Sequence, residues 1–272
     1  MTYLKITTKL KKLINNPIIY SVYLLNKFIY SLGLYKLIPN KYMLLSCNCG
    51  KIFLNLRESS MMMARYLGIY EYKKTKLIYK FIKPGMVILD IGVNKGYYTL
   101  LFSKLVSNKG TVFSFEPDPE NFMWAKKSIA KNKRNNIRLL QTAISKKDGK
   151  LYLYKGDTSG SSSLIYNQGL GEIKVKSRKL DTIVRDNNIS NIDVIKIDVE
   201  GAELDVLTGA VKTLKKYKPK LIIDIHSINR KKLFDILNKL DYKIFDYSGQ
   251  KLKKLTKYDF LTKDADEILA TV

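Results

Sequence analysis

Two cysteines and one histidine are all that 272 residues hold of the soft metal-binding side chains. A structural zinc site usually takes four Cys and His ligands, and Cys47, Cys49 and His226 make three. The same scarcity leaves no disulfide framework, in keeping with a reducing cytosol. Cys47-Asn48-Cys49 therefore reads as an incidental Cys-x-Cys. Arginine is scarce too, at seven of the 49 cationic residues. Proteins that read nucleic acid directly lean on the bidentate contacts of arginine. The formal charge of +25 thus reads first as a solvated, lysine-rich surface. Attraction to an anionic membrane or to nucleic acid comes second.

Acids are missing from the start of the chain: Met1 to Arg57 holds nine basic residues and no Asp or Glu. Within it, PIIYSVYLLNKFIYSLGLYKLIP (17–39) is strongly apolar, but Lys27 interrupts it. Its longest uncharged run is too short to cross ~30 Å of hydrocarbon unaided, and no small-residue cleavage site marks a signal peptide. Three readings stay open. It is a helical extension packed on the rest, an interfacial amphipathic helix with lysines toward anionic headgroups, or a membrane span. Residues 1–50 are set apart on this basis from a second unit, 51–272, and are expected to be dispensable for ligand binding there.

What is present from residue 51 onward is globular in composition, the whole chain being 46% hydrophobic and 27% charged. KIFLNL is a strand candidate, and KKTKLIYKFIKPG is a helix stopped by Pro84-Gly85. Short apolar strands then alternate with helical patterns: VILDIG (87–92), a helix through Lys104, TVFSFEP (111–117), a helix over 119–132, and IRLLQTA (137–143). An irregular insert follows, with strands KLYLY (150–154) and EIKVKSRKL (172–180) around a Gly- and Ser-rich loop (156–171) expected to cover or line a substrate pocket. Alternation resumes with DVIKID (193–198), a helix over 201–217, KLIIDIH (220–226) and a helix over 229–240. YKIFDY and EILATV close the chain. The pattern predicts an α/β fold, a mostly parallel sheet with helices on both faces.

Four of these strands end on a polar residue: Asp90, Glu116, Asp198 and His226. In open α/β sheets ligands bind in the crevice beyond the carboxyl ends of the strands, so four such residues converge on one site. Gly92 and Gly96 have the spacing G-x-x-x-G. This is neither the G-x-G-x-x-G dinucleotide fingerprint nor a phosphate loop. Glu116, 24 residues after Gly92, stands where a carboxylate accepts the hydroxyls of a ribose. A nucleoside with a zwitterionic tail and no phosphate, S-adenosylmethionine, fits better than a dinucleotide. Lys196 and Asp198 share a strand face, and their pairing makes the buried lysine tolerable. Glu200 and Glu203 follow, in a position where acids complement a helix dipole. Asp224 shares a face with His226 and is expected to orient its ring.

VILDIGVNKGYYT, FSFEPDPENF, AISKKDG, KLDTIV, DVIKIDVEGAELDVLTGA and KPKLIIDIH, in this order, resemble the FkbM-type family of S-adenosylmethionine-dependent methyltransferases over about residues 51–245. The resemblance implies a class I methyltransferase (Rossmann-like) sheet of seven strands, mostly parallel with the last antiparallel, YKIFDY and EILATV forming its final hairpin. It implies a cofactor site of Asp90, Gly92, Asn94, Gly96, Glu116 and Asp198, with Asp118 and Ala143 near the adenine. It also implies O-methyl transfer to a hydroxyl of a sugar, a glycolipid or another small-molecule or glycan acceptor. Val93 and Lys95 depart from the family's usual Ala and apolar residue.

His226 is the expected base, Asp198 the positioning group with Lys196 beside it, and Asp198 or Glu200 the competing base. Metal is not required, although Asp198, Glu200 and His226 leave divalent-ion dependence open. An RNA methyltransferase is the competing enzyme; no RNA-binding module is visible, and without any Pro-Pro the chain lacks the motif of exocyclic-amine methylation. A membrane-associated, non-catalytic binding protein on the same fold is the third reading. The expected setting is cytoplasmic, with peripheral membrane contact through residues 1–50.

Overall fold

The computed structural model describes residues 32–37, 39–55, 57, 70–156, 160–226, 229–247, 252–262 and 266–272, with Ser21 and Phe28 as isolated positions. Most of the apolar stretch 17–39 lies outside the described residues.

A hairpin of β1 (Tyr42–Cys47) and β2 (Gly50–Asn55) comes first, followed by α1 (Tyr72–Phe81). Then come β3 (Val87–Ile91), α2 (Tyr97–Val106), β4 (Thr111–Phe115), α3 (Pro119–Lys131) and β5 (Ile137–Leu140). A separate three-stranded sheet holds β6 (Ala143–Ile144), β7 (Gly149–Tyr154) and β8 (Glu172–Arg178). The chain continues through α4 (Leu180–Asp186), β9 (Val194–Ile197), α5 (Glu203–Thr208), α6 (Val211–Tyr217), β10 (Lys220–Asp224) and α7 (Arg230–Lys239). It closes with β11 (Lys243–Asp246), β12 (Lys253–Lys254), α8 (Lys257–Thr262) and β13 (Glu267–Thr271).

The main sheet has the order β12-β11-β13-β10-β9-β3-β4-β5. Strands β10, β9, β3, β4 and β5 are parallel, and β13 runs antiparallel to both β10 and β11. This is the expected seven-stranded sheet, and the two-residue β12 adds an eighth strand at its edge. Successive residues face opposite sides. Leu89, Ile91, Phe113, Ile195, Ile197, Leu221 and Ile223 pack with α4 to α7 in one apolar cluster. Ile88, Val112, Val194, Ile222 and Leu269 pack on the other side with α1, α2 and the hairpin.

Four local expectations change. The strand expected over 137–143 turns at Gln141 and Thr142, so Ala143 and Ile144 pair with β8 in the smaller sheet. The helix expected over 201–217 is two helices parted at Gly209 and Ala210, where glycine weakens a helix interior. The strand expected over 172–180 stops at Arg178, and Leu180 opens a helix. The stretch through residue 50, set apart as a helical extension, contains strand β1. Its Tyr42 ring stacks on Trp124 of α3 at 3.9 Å between centroids, and Tyr42 Oη donates to Glu120. Asn48 accepts from Tyr97 Oη of α2 at 2.9 Å, so the hairpin is fastened to both helices that flank the first strand-end loop.

Candidate active site

The loop from β3 to α2 is shaped by close backbone approach. Gly92 has φ +85°, and a Cβ there would stand 1.7 Å from the carbonyl oxygen of Asp198. Only glycine lets this loop meet the one after β9. Asn94, at φ 53°, donates its amide to Glu116 Oε2 at 2.7 Å, while Asp118 donates its amide to Glu116 Oε1 at 3.0 Å. Two backbone donors thus fix the carboxylate at the end of β4. Burial pushes Glu116 up to about 7, against the pull of the two amides and Lys95. Asp118 caps α3 by accepting from Glu120 and Asn121 amides and pairs with Lys155 at 2.6 Å. Ala143 is buried with Leu153 and Val175. Lys95, one of the two departures from the family pattern, is buried: its ammonium donates to Asn121 at 2.6 Å and lies 5.0 Å from the Tyr42 ring.

A nucleoside cofactor fits this loop. Asn94 Oδ1 is a buried acceptor without a hydrogen-bond donor, and Asp90 Oδ1 has only the Lys196 ammonium, at 3.6 Å; such under-satisfied acceptors are costly unless a ligand completes them. Asp90, Asn94, Glu116 and the Gly92–Gly96 turn would hold it.

The strand register brings the remaining polar groups together. Asp90 lies level with Lys196, and Lys196 level with Ile222; Asp224 lies level with Glu267. All face the α1–α2 side of the sheet. Lys196, 1% exposed, reaches Asp198 Oδ2 at 3.3 Å, the Gly92 carbonyl at 3.4 Å and Asp90 Oδ1 at 3.6 Å. Burial opposes its charge, but Asp198 and Asp90 overcome it and hold the ammonium above its ordinary range. Burial likewise works to raise Asp198, and Lys196 and Lys74 outweigh it, so its carboxyl lies below the usual range. Burial raises Asp90, with Lys196 and Thr99 opposing.

A third buried ammonium was not foreseen. Lys74 of α1, 1% exposed, contacts Glu71 at 2.6 Å, Asp224 at 2.6 Å and Glu267 at 3.3 Å. Tyr98 Oη donates to the same Glu71 carboxylate at 2.5 Å, and the Tyr98 ring lies between the two ammoniums, 5.6 Å from Lys74 and 5.2 Å from Lys196. Asp224 is therefore taken by Lys74 and does not orient His226. Burial, with Asp198 adding to it, pushes Asp224 up to about 8. Lys74 had a readable signature: it fills a buried position of the helical stripe that continues through Leu77 and Ile78.

His226 turns to the loop after β9. Its Nδ1 is 3.6 Å from Glu203 Oε1, its Nε2 is 4.0 Å from Glu200 Oε2, and its backbone amide donates to Glu203 at 3.4 Å. The contact to Glu203, with Glu200 and Asp198 adding, raises the imidazole to about 9. Carboxylates near both ring nitrogens thus favour the protonated imidazole. Burial pushes Glu200 up to about 6. Asp198, Glu200 and His226 each present a ligand atom within 4.8 Å of the others. Within this group Asp198 also faces Lys196, and His226 also faces Glu203. From the 156–171 loop, Ser163 Oγ donates to the Glu200 carbonyl at 2.6 Å and Tyr166 Oη to the His226 carbonyl at 3.0 Å.

A family model described as the methyltransferase FkbM domain matches residues 90–249 of this sequence. The chain belongs to the FkbM methyltransferase family. Among its FkbM-type relatives, 2-O-methyltransferase NoeI of Sinorhizobium fredii is 34% identical over 49% of this chain and 61% of its own length. Hexuronic acid methyltransferase AglP of Haloferax volcanii is 31% identical over 56% of this chain and 61% of its own. The chain thus spans about three fifths of the length of these curated relatives. The crystal structure of methyltransferase FkbM from Methylobacillus flagellatus aligns over 80% of this chain and 54% of that one, at 16% identity and TM-score 0.47. Lys74, Glu71 and Glu267 lie outside the family match, which is why the motifs did not announce them.

Proposed function

We propose that this FkbM-family chain transfers a methyl group from S-adenosylmethionine to a hydroxyl of a sugar or other glycan acceptor. The observation that carries the reading is the convergence of Asp90, Glu116 and Asp198 on the Gly92–Gly96 turn. Asp90 and the turn would hold the methionine end, Glu116 the ribose, and Asp118 and Ala143 would border the adenine. The bound cofactor supplies a methyl group already activated by a sulfonium, so the chain's own task is to place the acceptor oxygen in line, a contribution of ~7–11 kcal/mol when geometry is held. The relatives' names, a 2-O-methyltransferase and a hexuronic acid methyltransferase, support a sugar acceptor. The rim supports a non-nucleic acceptor: Glu71, Asp198, Glu200 and Glu267 are partly exposed there beside His226, while Lys74 and Lys196 lie buried beneath them.

His226 would take the proton that the hydroxyl loses. Being protonated at neutral pH, it gains the base form only as pH rises, so turnover should climb roughly tenfold per pH unit from 7 and level near 9. Glu200, raised to about 6, is the second reading, and it would make the rate flat above pH 7. Single-turnover rates across pH separate the two. Among the described residues no helix is long and apolar enough to cross a membrane. A cytoplasmic setting, with peripheral contact through the basic N-terminal residues, belongs to the same proposal.

A further inference from the structure

The chain's one histidine is gripped by more than the catalytic reading requires. Glu203 is fully buried, with Oε2 lacking any donor. Its Oε1 accepts the Gly201 amide at 2.9 Å and the His226 amide at 3.4 Å, and faces His226 Nδ1 at 3.6 Å. A buried carboxylate is expensive unless a cation or several donors face it, and the imidazole is the cation that the described contacts offer. From the opposite side Tyr166 holds the His226 carbonyl. The Tyr166 ring also occupies the space over Gly201, where an added Cβ would stand 2.4 Å from the ring. The backbone around the histidine is therefore fixed from two elements, and its ring is addressed at Nδ1 by only one of its acids.

We propose that Glu203 is a positioning residue for His226: its buried carboxylate holds Nδ1–H and turns Nε2 toward Glu200 and the crevice, where an acceptor hydroxyl delivers its proton. The proposal rests on reading His226 as the base. Methyl transfer breaks the sulfur–carbon bond, forms the carbon–oxygen bond, and passes the hydroxyl proton to Nε2, from which it leaves to solvent. A carboxylate at Nδ1 keeps the tautomer that leaves Nε2 as acceptor and stabilises the imidazolium that results, the arrangement that also makes histidine effective in carboxylate–imidazole pairs elsewhere. Other charged groups near the ring have different work. Asp198 is held by Lys196, Asp224 by Lys74, and Glu200 stands at the Nε2 side, at 4.0 Å.

A single histidine makes the test direct, since protein labelled with ¹⁵N-histidine gives one ring signal from the full-length chain. The expected wild-type result is protonated Nδ1 in the neutral form, with a midpoint near 9. Glu203→Gln should move that midpoint toward 6.5, move the inflection of the pH–rate profile with it, and lower the limiting turnover more than tenfold, while the dissociation constant for S-adenosylmethionine stays within twofold. Tyr166→Phe should leave the midpoint in place. A wild-type ring with Nε2 as the protonated neutral tautomer would overturn the proposal, and that reading needs no variant to fold. So would a midpoint that Glu203→Gln leaves unchanged, or one that Tyr166→Phe shifts equally. Failure of the base reading shows separately, as a turnover rate independent of the measured ring titration.

Discussion

At the scale of single residues, the site was legible where a polar side chain ends an apolar strand. Asp90, Glu116, Asp198 and His226 were found in this way, because a charge at a strand's carboxyl end breaks the run of buried residues. Their partners were not legible, since register and helix docking choose them: Asp224 met Lys74 and left His226 to Glu203. Glu116→Ala removes the proposed ribose acceptor and should weaken cofactor binding by ~1.5–3 kcal/mol, roughly ten- to hundredfold, with the fold intact. An unchanged dissociation constant by calorimetry would contradict the assignment. The same residue sets a pH dependence. Ribose hydroxyls donate to the ionised carboxylate, and Glu116 ionises only as pH rises through about 7. Cofactor affinity should therefore fall between pH 8 and pH 6, and should lose that slope in Glu116→Gln. For His226 the sign is opposite in stability. A pKa raised to about 9 gives stabilisation that is complete below the unfolded value of ~6.5 and is lost as pH passes 9.

At the scale of elements, hydrophobic periodicity located nearly every strand and helix of the main sheet, because each buries one face or both. It missed β1, which precedes the expected domain and is held by the stacking of Tyr42 on Trp124. It missed α8 and β12, too short to show a period. Helix α1 is docked by a charge as well as by apolar contacts. Lys74 draws Glu71, Asp224 and Glu267 to one ammonium, tying the helix to β10 and β13. Lys74→Met leaves three carboxylates facing one another, and breaking a buried ion pair from one side costs about 3–5 kcal/mol. Urea unfolding should show a midpoint lowered accordingly; a wild-type midpoint would mean that water already satisfies those acids.

For the whole molecule, the charge distribution is uneven in a way that the net value hides. The chain carries +25, yet the carboxylates of Glu71, Asp198, Glu200 and Glu267 are partly exposed at the crevice, and the seven lysines before β1 have no acid among them in the sequence. Removing residues 1–38 spares Tyr42 and Asn48, which brace the helices flanking the cofactor loop, so the truncated protein should keep its cofactor affinity. It should lose flotation with anionic liposomes at low salt, basic residues near such a surface contributing ~1 kcal/mol each. Equal flotation of both forms would remove the membrane role. Removal of all of residues 1–50, expected from sequence to be harmless, would instead cut away the hairpin partner of β2.

The central claim, methyl transfer to a glycan hydroxyl at the Asp90–Glu116–Asp198 crevice, is tested most directly by incubating the full chain with S-adenosylmethionine carrying a labelled methyl group and with separate glycan, lipid and RNA extracts. The account predicts label in the glycan fraction, stable to mild alkali as an ether is, and reduced at least tenfold by Glu116→Ala at limiting cofactor. Label in RNA alone, or glycan label unaffected by that substitution, would contradict it.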